Sequence, residues 1–278
     1  MTRVMTRYPH RAVQSRESSG VARSSDGIAI HYALEGVGAP ALVFVHGWSC
    51  DRSYWAEQIP AFAPRHRVVA IDLAGHGESG AGRKSWTMAN FGGDVAAVVD
   101  HLGLDDVVLI GHSMGGDIIV EGALALGGRV RGLIWVDQYT SLDELRSQAD
   151  VAAFMEPFQK DFVSATQGLV RQMFPPDADP VLVDRVASHM SSAPPAIALD
   201  ALRHAISNGP RVVDRLPVLG IPTVAINADF RPTDEASLRR HGVRPVLTSG
   251  VGHFLMMEDP DQFNGVLADV IRGLARRS

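Results

Sequence analysis

Two residues of this chain, Ser113 and His253, are of the types that together make a nucleophile. A serine hydroxyl is a poor nucleophile at neutral pH. It needs a base within hydrogen-bond reach and a third group that orients the base. Ser113 stands in Gly111-His112-Ser113-Met114-Gly115, after the apolar, β-branched run 107–110 and before a stretch, 118–126, that can form a helix. Strand, sharp turn, helix is the context that turns G-x-S-x-G into a nucleophile elbow. The two glycines let strand and helix approach closely around a strained serine. His253 follows Gly250-Val251-Gly252, small residues that let an imidazole swing over the elbow. Two aspartates could orient it: Asp137, which ends the run Gly132–Val136, and Asp229, just after the run Thr223–Ile226. The oxyanion of an attacked carbonyl needs two fixed amide donors. The residue after the nucleophile, Met114, offers one, and Trp48 in the His46-Gly47-Trp48-Ser49 loop offers the other. His112, beside Ser113, is expected to turn away from it at the sharp turn. His46 and His76 are expected to be scaffold hydrogen-bonders.

The elements that must position these residues follow from the pattern of apolar runs. Strands are predicted at 28–34, 41–45, 68–73, 107–110, 132–136, 223–226 and 245–248. A helix is predicted over 88–102, where Met88, Phe91, Val95, Val98, Val99 and Leu102 share a face. Continuous apolar strands alternating with helices imply a parallel sheet covered on both faces, with its site at the carboxyl ends of the strands. His46, Asp72, Ser113, Asp137, Asp229 and His253 all follow strand ends. Between Asp137 and about Gly209 the strand signals stop. The segment carries Phe154, Met155, Phe158, Phe162, Met173, Phe174 and Met190 at helical spacings, broken by Pro175-Pro176 and Pro194-Pro195. It reads as a helical cap, residues 138–209, between the core segments 21–137 and 210–278. A minority of those side chains should face the space above Ser113 as an apolar pocket.

Composition sets limits. The chain has 278 residues, a formal net charge of −5 and one cysteine, Cys50. The length suits one large α/β domain. Mild acidity without a basic block gives no electrostatic footprint for nucleic acid. One cysteine rules out an intrachain disulfide and points to a reducing compartment, hence the cytoplasm. No apolar run is long enough for a membrane span. Residues 1–20 carry Arg3, Arg7, Arg11 and Arg16 without an apolar core, and read as a polar, partly disordered arm rather than a secretory signal. No His or acidic spacing makes a metal site.

The chain resembles the α/β-hydrolase fold superfamily, in its serine-nucleophile branch. The resemblance rests on His46-Gly47-Trp48, the segment Asp72-Leu73-Ala74-Gly75-His76-Gly77-Glu78-Ser79, Gly111-His112-Ser113-Met114-Gly115-Gly116, and Gly252-His253, in that order. It implies a mostly parallel, doubly wound sheet with an inserted helical cap, and hydrolysis through an acyl-enzyme without cofactor. Asp72 has no catalytic role in it. The family usually carries its acid in a G-x-x-D turn after the strand that follows the cap. Here those positions hold Ala228 and Arg231. A branch of the haloalkane dehalogenases instead places the acid after the strand preceding the cap, which is Asp137 in this chain. The favoured triad is therefore Ser113, His253 and Asp137, with Asp229 as the alternative acid. The expected activity is cleavage of a carboxylic ester or lactone of a small-to-medium apolar molecule. C–C bond hydrolysis or cofactor-free perhydrolysis on the same triad, and a non-catalytic ligand-binding protein of this fold, are the alternatives. The expected partner is a small-molecule substrate; the oligomeric state, a homodimer included, stays open.

Overall fold

The computed structural model describes residues 18–144 and 146–275. Eight strands form one sheet: β1 (Ser18–Arg23), β2 (Ala29–Glu35), β3 (Ala41–Val45), β4 (Val68–Ile71), β5 (Val107–His112), β6 (Val130–Val136), β7 (Thr223–Ala228) and β8 (Val243–Thr248). Their order across the sheet is β1-β2-β4-β3-β5-β6-β7-β8. The pairs β1/β2 and β2/β4 are antiparallel and the rest are parallel. The helices in chain order are α1 (Gln58–Phe62), α2 (Met88–His101), α3 (Met114–Leu126), α4 (Gln148–Lys160), α5 (Phe162–Arg171), α6 (Pro180–Ser191), α7 (Pro195–Ile206), α8 (Gly209–Leu219), α9 (Glu235–Arg240), α10 (Leu255–Glu258) and α11 (Pro260–Ala275).

The central strands read as continuous apolar runs because both faces of the sheet are covered. Every residue of β3, β4 and β5 is buried. Phe44, Trp55 and Trp135 are among the largest wholly buried side chains. Each parallel strand delivers its carboxyl end to the same edge of the sheet. β3 leads to Trp48, β5 to Ser113 and β6 to Asp137.

Two expectations need correction. The core does not start at Val21: residues 18–20, assigned to the arm, belong to β1, where Gly20 pairs with Tyr32. Only Ala22 of this edge strand is buried. Backbone pairing rather than an apolar pattern therefore holds it, and no periodicity marks it. The rest of the arm, residues 1–17, lies outside the described residues. Strands β6 and β8 also begin two residues earlier than expected, through Arg131 and Arg244, whose charges mask the run.

Five helices, α4–α8, stand between β6 and β7. Trp48 donates its indole N–H to the Ala198 carbonyl of α7 at 2.8 Å, and its ring meets Phe158 and Phe162 edge-on. Asp200 of α7 accepts from the Trp86 amide at 2.9 Å, just before α2. His189 of α6 meets the Tyr54 hydroxyl at 2.9 Å and the Asp51 carboxylate at 3.2 Å. The helical segment is thus tied down at several separate points.

Candidate active site

The turn from β5 into α3 places Ser113 at φ 50° and ψ −124°. That is a costly backbone for a residue with a Cβ, by about 1–2 kcal/mol. The glycines permit it. A Cβ on Gly111 would collide with the Gly115 carbonyl, and one on Gly115 would stand 2.5 Å from the Val45 carbonyl. Among the described residues, the non-glycine residues at positive φ are Ser49, Ser113 and Asp137. They lie beyond the carboxyl ends of β3, β5 and β6. Strain of this kind collects where several side chains must converge on one point.

Asp137 converges on His253. Its Oδ2 lies 2.7 Å from His253 Nδ1, and its Oδ1 accepts the Ala228 amide at 2.9 Å. Both oxygens are thereby engaged. The Nδ1–H of His253 is committed to the carboxylate, so its Nε2 carries the lone pair. Asp229 is exposed and does not line the cavity.

Ser113 and His253 line one cavity of about 340 Å³, together with Trp48, Met114 and Asp137. No Ser113–His253 hydrogen bond is formed in this structure. In unliganded sites such bonds are commonly loose and tighten around substrate. The Trp48 and Met114 amides have no backbone partner among the described residues. The Met114 amide also sits at the positive end of α3.

Several further residues hold this arrangement, Glu258 among them unmarked in the sequence. His112 does not turn away from the site. Its Nε2–H donates to the His253 carbonyl at 2.9 Å, and the two rings lie 4.7 Å apart. It is wholly buried, which holds its pKa well below the usual imidazole range, so it props the histidine loop as a neutral ring. Glu258 accepts from the Gly252 and Phe254 amides at 2.8 and 3.0 Å, one on each side of His253. The His253 amide itself donates to the Met173 carbonyl in the segment between α5 and α6. His46 donates Nδ1–H to the Gly47 carbonyl and accepts the Leu73 amide on Nε2. His76 contacts the Ala74 carbonyl through Nδ1. Asp72, 1% exposed, accepts the Arg52 and Glu78 amides and pairs with the Arg52 guanidinium. It shapes its loop and lies outside the cavity.

The cavity has two kinds of wall. Phe154, Leu169, Met173, Met190, Leu202 and Ile206 present an apolar face. Of the cap aromatics and methionines, Phe154, Met173 and Met190 face this space. Phe158 and Phe162 pack on Trp48, and Phe174 stacks on Phe254. Gln138, Tyr139, Thr140 and Ser141 add a polar part to the lining, with Glu144, Arg146 and Arg231. Among the described residues no cluster of His, Cys, Asp and Glu could hold a metal ion, and no helix is long and apolar enough to cross a membrane.

A mostly parallel sheet with a strained serine between strand and helix, and a histidine–aspartate pair at the same edge, defines an α/β hydrolase. The chain belongs to the α/β-hydrolase fold family, whose sequence profile matches residues 40–224. It is 28% identical, over 89% of its length, to the dihydrolipoyllysine-residue acetyltransferase component of the acetoin cleaving system of Cupriavidus necator. It spans 68% of that protein and 66% of the protein of the same description from Pseudomonas putida. Among solved structures it is similar to Est816, described as an N-acyl homoserine lactone degrading enzyme. The TM-score is 0.76 and the identity 27%, covering 90% of this chain and 99% of that one. It also shares its fold with the enol-lactonase of Burkholderia xenovorans LB400, with TM-score 0.78 and identity 21%, covering 91% and 100%.

Proposed function

We propose that this protein is a serine hydrolase that cleaves a carboxylic ester or lactone of a small-to-medium, mainly apolar molecule through an acyl-enzyme. The 2.7 Å contact between His253 and Asp137, with Ser113 on the same cavity, carries this reading. His253 Nε2 takes the Ser113 proton as the oxygen attacks the carbonyl carbon. The Trp48 and Met114 amides receive the oxyanion. The imidazolium, stabilised by Asp137, protonates the departing alkoxide, and water activated by the same histidine releases the acid. In a lactone the leaving oxygen stays tethered to the acyl group. The helices α4–α7 act as a cap that closes the apolar side of the substrate space.

A lining with both apolar and polar residues favours a molecule with an apolar arm and a polar head. An acylated lactone of the kind named for the 27%-identical structure has that character. The one cysteine, Cys50, is buried and lines the cavity.

The test is labelling by a fluorophosphonate, followed by turnover of a p-nitrophenyl ester and of an N-acyl homoserine lactone. The expected result is stoichiometric labelling at Ser113, with Ser113→Ala and His253→Ala each losing about 10³–10⁶ in kcat. Wild-type turnover by Ser113→Ala rules the mechanism out.

A further inference from the structure

The loop after β6 carries Asp137 in the left-handed region, at φ 50°. Its neighbour Tyr139 is gripped at both ends. The Tyr139 hydroxyl donates to Oδ1 of Asp117 at 2.7 Å, and its carbonyl accepts from Nδ2 of Asn227 at 2.8 Å. The ring packs 5.3 Å from that of Trp135. Asn227 belongs to β7, whose Ile226 carbonyl accepts the Asp137 amide and whose Ala228 amide meets the Asp137 carboxylate. Asp117 belongs to the first turn of α3, four residues after Ser113. Beside it, the Gln138 side chain lies over Gly116 of the same helix, where a Cβ would come within 2.8 Å of it.

Asp117 has no part in the acyl transfer. It is wholly buried, and its Oδ2 has no hydrogen-bond partner. Burial pushes its pKa up to about 7, and Glu121, one turn on, acts in the same direction. A buried carboxyl of this kind costs stability that an apolar side chain of similar size does not. The Tyr139 bond ties it to the loop that carries the acid, and the side chains of Gln138, on that loop, and Asn208 act on the carboxyl in the same sense as Tyr139.

We propose that Asp117 and Tyr139 are positioning residues of the catalytic centre, whose hydrogen bond fixes the Asp137 loop to the helix that begins at the nucleophile. This rests on the serine-hydrolase reading. With the acid on β6, acid and nucleophile come from adjacent strands. The Tyr139–Asp117 bond closes a short brace between them, and the histidine is set by that brace.

The test uses Tyr139→Phe, Asp117→Asn, Asp117→Leu and the double variant Tyr139→Phe/Asp117→Leu. Each is assayed for ester turnover against pH and for fluorophosphonate labelling. Tyr139→Phe should lower kcat about tenfold with KM within about twofold, since a small misplacement costs rate more than binding. The acid limb of its kcat/KM profile should move down by about half a pH unit, because a displaced Asp137 stabilises the imidazolium less. Asp117→Asn keeps an acceptor for Tyr139 and should retain most of the activity. The double variant should be no worse than the poorer single variant. A wild-type kcat and acid limb in Tyr139→Phe, or single losses that multiply in the double, overturns the proposal while leaving the triad standing. Absence of labelling in the wild-type protein overturns the serine-hydrolase reading and this inference with it.

Discussion

At the scale of single residues, backbone geometry separates the two candidate acids as much as chemistry does. Asp137 and Asp229 both follow a core strand, and both are residue types that tolerate turns. Only Asp137 turns into the left-handed region, and that turn aims its carboxylate at His253. Asp137→Asn should therefore lower kcat by about 10³–10⁴, the loss expected when a histidine loses its tautomer control. Asp229→Asn should stay within about twofold. Steady-state ester hydrolysis by the two variants decides between them, and the reverse ranking moves the acid to β7. The strained turn at Ser113 was legible in the sequence because such a turn needs glycines at fixed offsets, and the approach of His253 to the same cavity because its neighbours are small. Asp117, Tyr139 and Glu258 were not. Their partners lie on other elements, and no spacing along the chain announces a hydrogen bond across a fold.

Whole elements were legible where burial on both faces imposes continuous apolar runs, as in β3 and β5. Helix 88–102 was legible because one face of α2 is apolar. The edge strand β1 was silent because it is held by backbone pairing with β2. The histidine loop is a further element whose order comes from elsewhere. Both Glu258 oxygens hold amides that flank His253. Glu258→Ala leaves those two donors without their acceptor, a loss of about 1–3 kcal/mol. The expected outcome is a Tm lowered by several degrees, with a larger proportional loss in kcat than in folded protein. Thermal unfolding followed by circular dichroism, beside a kinetic assay at low temperature, separates the two effects. An unchanged Tm and kcat would show that water replaces Glu258 fully.

For the whole molecule, the buried ionisable groups set the response to acid. Burial brings the His46 imidazole down to about 4 and that of His76 to about 3, and His112 falls well below the usual range. In the unfolded chain all three titrate near 6.5. Their contribution is therefore complete above about pH 6.5 and is lost as the pH falls toward the folded values. Four carboxyls act oppositely, Asp72 and Glu258 by smaller shifts than Asp117 and Asp94. Burial raises Asp117 to about 7 and Asp94 to about 6, so the fold takes up their protons first. The three large histidine shifts outweigh the two large carboxyl shifts. Stability should drop by about 1.4 kcal/mol per pH unit for each excess proton on the unfolded chain. Urea midpoints measured from about pH 7 to pH 4.5 should fall steadily; a level or rising midpoint contradicts the balance.

The bond from the Trp48 indole to Ala198 has one more consequence, for how such a protein can be remodelled. The residue whose amide is proposed to meet the oxyanion is also the residue on which α4, α5 and α7 rest. Cap and core are separate in the chain but share this part. Grafting a foreign cap to change substrate preference would then have to bring its own carbonyl to the place of Ala198, or the transplant would retune the chemistry together with the pocket.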